Sequence, residues 1–459
     1  MKTAETPPLM QRPILRAATA VLIAGSLVRF LALGKEVVVA GVYGLGDAMD
    51  AFAAASLLPA LLINLLAESM NQALLPTMVR VQEEEGHDAA QRLLSTAQTT
   101  LLTLLCGTSL ALAALAHTLF PLLTSGFAPQ KLELTIRTFQ ALLPCVVLSG
   151  FAANCAAVLN LRRQFLLPAI APALVPAAIL IAAICAGDRT GIQALVRGTL
   201  AGTLLQAIVM GRALQRVGFS LQIRWIATSE ASREVVQQYG PILLSGLIAS
   251  GGLLVDQAMA ATLAPGSLAT LVCAGRFPSV AMALLGGAVA TALTPFLAHQ
   301  VARREWKGCR RTLRRWTLLT TAASVPLCLL FLFTARPLIR ITLQHGAFHQ
   351  AETFSVAPVL AMYALQIPFY TVSRVYYRFL LAVRRSDLIF RCGAINLALD
   401  ILLNLLLMRW MGVAGIALST SLWTIATFFF LGYWCRRVLH EKFAEGNGNP
   451  TSSRLHLST

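Results

Sequence analysis

Apolar residues along this chain gather into long runs broken by short polar connections. Crossing about 30 Å of hydrocarbon takes roughly 20 apolar residues in a helix. Twelve stretches meet that length, at 13–34, 50–77, 97–121, 136–159, 165–187, 192–214, 238–263, 267–299, 316–335, 355–382, 388–409 and 411–434. The pattern predicts an all-α polytopic membrane protein. The first run is not closed by a small-residue cleavage site, so it reads as a retained helix and not as a signal peptide.

Composition supports this reading. The chain is 57% hydrophobic and 12% charged over 459 residues, against about 25% charged in soluble domains. Its net charge of +17 would suggest nucleic acid in a soluble domain, but here the basic residues sort by connection. Arg12 and Arg16 precede the first run, Arg80 and Arg92 follow the second, and Arg162 and Arg163 follow the fourth. Arg212, Arg216, Arg224 and Arg233 follow the sixth, and the densest cluster, Arg303 to Arg315, follows the eighth. The intervening connections carry far fewer Lys and Arg, so the positive-inside rule puts both termini in the cytoplasm. An even number of spans requires the same.

A weak repeat suggests how the spans are grouped. Ala73-Leu74-Leu75-Pro76 recurs as Ala292-Leu293-Thr294-Pro295, and Arg162-Arg163 as Arg384-Arg385, at nearly the same offset and the same place in each half. The expectation is two six-helix lobes, 13–216 and 238–436, around a central cavity. Residues 1–12 would form a cytoplasmic N-terminus, 217–237 a cytoplasmic linker, and 437–459 a disordered tail.

Nothing in the chain resembles a catalytic signature: there is no phosphate-binding Gly-rich loop, HExxH or Ser–His–Asp grouping. The nine cysteines form no CxxC pair and read as helix-packing residues. The polar residues inside the apolar runs carry the chemistry, because a charge at the bilayer centre costs on the order of 3 kcal/mol or more. Arg29, Arg276, Arg374 and Arg378 are such residues. A guanidinium keeps its charge when desolvated and grips phosphate oxygens in pairs, which suits a pyrophosphate-bearing substrate. The same arginines also fit interhelical ion pairs with Asp50, Glu68 or Asp256, or snorkelling to an interface. Asn396 and Asp400, four apart on one helix face, offer with Asp256 hard oxygen ligands for a small cation or a proton. An interhelical hydrogen-bond network is the competing reading.

At GVYGLGDAMDAF (41–52) the sequence resembles the MurJ/MviN family of lipid II flippases, within the multidrug/oligosaccharidyl-lipid/polysaccharide exporter superfamily. LLAESMNQALLP, Ser125-Gly126-Phe127, Leu159-Asn160, Gly240-Pro241, Gln344-His345-Gly346-Ala347-Phe348 and Gly412-Val413-Ala414-Gly415 follow in the family's order. The resemblance implies cavity residues at Arg29, Lys35, Asp50, Glu68 and Arg276, and a sodium site at Asp256, Asn396 and Asp400, completed by Thr420. The chain departs from the family at Ile63 or Asn64, where an arginine is expected, and at Gly275, where an acid is expected.

The expected function is a non-enzymatic flippase that carries a polyprenyl-pyrophosphate-linked peptidoglycan precursor across the bacterial inner membrane by alternating access. Arg29, Lys35, Asp50, Glu68, Arg276 and Arg374 would form the substrate site, and Na+ would be the coupling ion. The substrate and the membrane are the expected partners, with no nucleic acid, and the chain is expected to be a monomer associated with cell-wall synthesis machinery. Export of another lipid-linked oligosaccharide or an amphiphilic drug, and a non-transporting scaffold role, are the alternatives.

Overall fold

The computed structural model describes residues 8–220 and 230–446, which are helical apart from short connections. In chain order the helices are α1 (Pro8–Tyr43), α2 (Asp47–Leu62), α3 (Glu68–Glu84), α4 (His87–Leu123), α5 (Pro129–Leu161), α6 (Leu166–Ile170), α7 (Leu174–Thr190) and α8 (Ile192–Arg216). They continue as α9 (Glu230–Ala261), α10 (Ser267–Ala302), α11 (Trp306–Leu343), α12 (Gln350–Ala364), α13 (Gln366–Ala382), α14 (Ser386–Met411) and α15 (Val413–Gly446). Among the described residues eleven helical stretches are long and apolar enough to span a membrane. They match eleven of the twelve expected runs, and the remaining one, 13–34, falls within α1.

Three expected helices are interrupted, two of them at prolines. The second run bends through one π-helical turn, Ile63–Ala67, which joins α2 to α3. In the fifth, prolines at 168, 172 and 176 each remove an N–H and crowd the carbonyl four residues back, so α6 gives way to a 3-10 turn, Ala171–Ala173, before α7. Pro368 does the same to the carbonyl of Ala364, where α12 ends and α13 begins. The tail expected to be disordered from 437 continues α15 as helix to Gly446. Residues 221–229 of the expected linker and 447–459 of the tail lie outside the described residues.

The chain divides into two compact units. One runs to Ala269 and includes Leu343–His349; the other comprises Thr270–Thr342 and the chain from Gln350 onward. This grouping differs from the expected lobes, because α9 packs against α3 and α4 in the first unit. In the first unit a core of leucines and alanines, including Leu74, Leu101, Leu105 and Leu159, joins α3, α4 and α5. Buried amides add to it, with Asn154 donating to Gln98 at 2.6 Å. In the second unit Phe379, Leu380 and Leu388 pack against Leu293 and Leu297 of α10 and Leu431 and Cys435 of α15.

A close helix approach depends on two glycines one turn apart. A Cβ on Gly198 would lie 2.8 Å from Ile179 Cα, and one on Gly202 would lie 2.7 Å from Val175 Cα. Small residues four apart let α7 and α8 touch backbone to backbone, the usual way to gain packing where lipid provides no hydrophobic drive. Replacing Gly202 by Leu is expected to lower stability by about 1–3 kcal/mol through overpacking, read as a lower unfolding midpoint in detergent. Gly202→Ala should fall in between.

Candidate transport site

In α1, Leu27, Ile23 and Phe30 are exposed and apolar, so that face reads as the one toward lipid. Arg29 lies about a third of a turn away from it. Its side chain folds back along the helix, with Nη1 3.3 Å from where a Cβ on Gly25 would sit. The missing side chain at Gly25 thus leaves room for the guanidinium. Arg29 makes no ion pair with a carboxylate among the described residues.

Lys35 has a different environment. Its ammonium is 2.7 Å from Glu36, and both side chains are largely shielded. The cation expected to hold substrate is therefore matched by the acid beside it.

Asp50 is a clear correction to the expected cavity lining. It is 1% exposed, and its carboxylate accepts from Lys131 Nζ at 2.5 Å, Gly266 N at 2.6 Å and Ala269 N at 2.7 Å. Lys131 also contacts Asp47 at 2.9 Å and lies over the Phe127 ring. Asp50 supplies the capping acceptor for the first turn of α10, which has no acid of its own there. Its bonds are committed to structure, leaving little for a substrate.

Glu68 opens α3 directly after the π-turn and is exposed, as are Asn64 and Gln72, one turn before and one after. Residues four apart share a helix face, so the segment presents a polar stripe within a span that is otherwise apolar. A lipid-facing stripe would be apolar; this one suits a wet hollow. π-turns recur at functional sites because the extra residue re-aims the side chains around it. The family resemblance leads one to expect arginine at Ile63 or Asn64, and of these two Asn64 carries the polar side chain of the stripe.

In the second unit Arg276 of α10 is exposed, near Gly275, which packs on Tyr363. Arg374 of α13 is half-buried. It donates to the Tyr370 hydroxyl, and its guanidinium carbon lies 4.7 Å from the Tyr370 ring and 5.9 Å from the Tyr377 ring. Gly286 of α10 opens space beside the Arg374 stem. Like Arg29, Arg374 pairs with no carboxylate among the described residues.

The cation-site residues are distributed between the units. Asp256 is buried in the first. In the second, Asp400 is 1% exposed and draws Asn404 Nδ2 at 3.3 Å and Ser419 Oγ at 3.4 Å to its Oδ1. Asn396 instead donates to Cys392 Sγ, and the Thr420 hydroxyl donates to the Ile416 carbonyl of its own helix. Among the described residues no three His, Cys, Asp or Glu side chains cluster as a metal site. The oxygen donors gathered around Asp400 are carboxylate, amide and hydroxyl, the hard set a small cation accepts.

Sequence reasoning missed several of these partners. Asn404 is four residues after Asp400, and Tyr370 is four before Arg374, so helical spacing alone could have found both. Lys131 and Ser419 come from other helices, and no local signal points to them.

The geometry can be compared with known proteins. A probable lipid II flippase MurJ from Synechocystis sp. is 24% identical over 425 residues, covering 89% of this chain and 79% of its own. A solved lipid II flippase MurJ in an inward closed conformation aligns with a TM-score of 0.78 at 19% identity, over 92% of this chain and 89% of the other. An inward-facing multidrug resistance MATE family transporter of the MOP superfamily also aligns at 0.78, with 13% identity over 93% and 99% of the two chains. These two structural likenesses establish the fold, which serves both kinds of transporter. The family model described as lipid II flippase MurJ matches residues 39–449, and on that match this multi-pass membrane protein belongs to the lipid II flippase MurJ family.

Proposed function

We propose that this chain moves a polyprenyl-pyrophosphate-linked saccharide, of the lipid II kind, across the bacterial cytoplasmic membrane by alternating access, with both termini in the cytoplasm. The supporting observation is that Arg29, in the long helix α1, and Arg374, in the spanning stretch Gln350–Ala382, are matched to no carboxylate among the described residues. The ion-pair reading of these arginines requires acids, yet Asp50 is committed to Lys131. A guanidinium kept in a spanning helix without an acid is suited to an anionic cargo, and a diphosphate offers the paired oxygens it grips best. Glu68, flanked by Asn64 and Gln72, would contact the sugar or peptide hydroxyls and amides of the head group. Lys35, tied to Glu36, would contribute little.

Coupling to a cation is part of the same proposal. Asp400, with Asn404 and Ser419, would hold Na+ or a proton, and occupancy would bias the second unit between conformations. Export of amphiphilic drugs is a weaker reading here, because a cationic drug has no use for unpaired arginines.

The test is complementation in cells depleted of their own flippase. Arg29→Ala and Arg276→Ala variants, expressed to the parent's level in the membrane, are expected not to restore growth. Full rescue by both would overturn the diphosphate grip.

A further inference from the structure

Among the described residues only three non-glycine residues have left-handed backbone, and all three are arginines: Arg163, Arg304 and Arg384, with φ of 60°, 57° and 58°. Each sits just past the end of a helix, where the following N–H bonds a carbonyl five residues back: Gln164 to Leu159, Glu305 to Gln300 and Arg385 to Leu380. Glycine is the usual residue there, and a side chain in that conformation costs on the order of 1 kcal/mol. Gly218 fills the same place after α8, with Phe219 N bonded to Leu214 O.

Arg304 has a further distinction. It lines a cavity of about 650 Å3 whose walls include Gln300 of α10, Trp306, Lys307 and Arg311 of α11, and Phe443 of α15. Glu305 is the one acid on its wall. Arg303, Arg310, Arg314 and Arg315 are neighbours in sequence that do not line the cavity. None of these seven cations forms an ion pair among the described residues, whereas Arg80, Arg385 and Arg437 each hold a carboxylate. The first turn of α11 contains no acid, and cations at a helix's positive end oppose its macrodipole. Folding alone therefore does not favour this concentration of charge. Arg311 lies five residues, about 7 Å along the helix, before the apolar run that starts at Trp316, within a headgroup layer roughly 5–8 Å thick.

We infer that this cavity is a binding site for the phosphate headgroup of an anionic phospholipid in the leaflet that the basic connections face. Arg304, Lys307 and Arg311 grip the phosphate. Trp306 and Phe443 lie against the glycerol and upper acyl chain, the place amphipathic aromatics occupy at membrane interfaces. The left-handed backbone holds Arg304 at the cavity's lip. Basic pockets at the ends of spanning helices are suited to such headgroups.

The experiment uses the full chain in phosphatidylcholine vesicles containing brominated phosphatidylglycerol or brominated phosphatidylcholine, with Trp306 emission isolated by difference against Trp306→Phe. Quenching is expected to be selective for the brominated anionic lipid. The triple variant Arg304→Gly, Lys307→Gln, Arg311→Gln is expected to weaken that selectivity by about a hundredfold, at roughly fivefold per cation. Arg304→Gly alone should weaken it about fivefold while leaving the unfolding midpoint equal or higher, since glycine suits the left-handed conformation. Equal quenching by both lipids would overturn the site. So would an unchanged triple variant, or an equal loss from Arg310→Gln, Arg314→Gln, Arg315→Gln outside the cavity. Displacement of the lipid by millimolar inorganic phosphate would show a free-anion site and overturn the commitment to lipid.

Discussion

Asp50→Ala is expected to destabilise the protein by about 3–5 kcal/mol, the usual consequence of removing one partner of a buried ion pair. Lys131, whose side chain is 7% exposed, would keep its charge beside only Asp47, which is itself largely exposed. Gly266 and Ala269 would each lose the acceptor for a buried N–H, so the first turn of α10 would also lose its cap. These two contributions can be separated. Asp50→Ala with Lys131→Met removes both charges and should recover most of the loss, because a buried pair replaced by apolar groups is often neutral. The remaining deficit, about 1 kcal/mol, belongs to the cap. Asp50→Asn keeps an acceptor oxygen and should lie between. Unfolding midpoints of the purified variants in detergent give the order, and an unchanged midpoint for Asp50→Ala would refute the clamp.

Arg374→Lys is expected to reduce transport of a pyrophosphate-linked lipid at least about thirtyfold, the lower end of what truncating a desolvated charge contact costs. The substitution keeps the charge but not the plane. Arg374 is oriented by its bond to the Tyr370 hydroxyl and by two aromatic rings, so its remaining N–H groups have a fixed direction. An ammonium has no such fork and cannot bond two phosphate oxygens side by side. Tyr370→Phe retains the ring and removes the hydroxyl, and a smaller loss is expected. Flux of a fluorescent lipid into proteoliposomes measures both, with unfolding midpoints near the parent's confirming that the fold is intact. Parent-level flux in Arg374→Met would show that the side chain merely fills space.

The two variants test different kinds of intramembrane charge. Asp50 and Arg374 look alike in sequence, each a charge carried by an apolar run. Asp50 is committed to a cation and two backbone amides, whereas Arg374 is braced by neutral groups and keeps its charge available. The structure therefore divides the residues that the sequence reading groups together as one substrate site. Arg29, Glu68, Arg276 and Arg374 remain candidates for substrate contact, Asp50 becomes a clamp, and Lys35 is neutralised by Glu36.

The sequence by itself determined the class of this protein and the rough position of its spans. Membrane crossing depends on run length and hydropathy, both properties of contiguous residues, and eleven expected runs lie where the helices are. Two of the three breaks lie at prolines, which act on their own neighbours, but Pro76, Pro144 and Pro241 lie inside unbroken helices, so the sequence alone did not locate them. Partnership was decided only by tertiary structure. Whether a buried carboxylate meets a lysine 81 residues away, or Asp400 meets Ser419 on the next helix before Asn396 on its own, depends on which helix faces are pressed together. That choice follows from packing across the bundle, where close approaches such as Gly198 and Gly202 of α8 against α7 set distances that no local window of sequence contains.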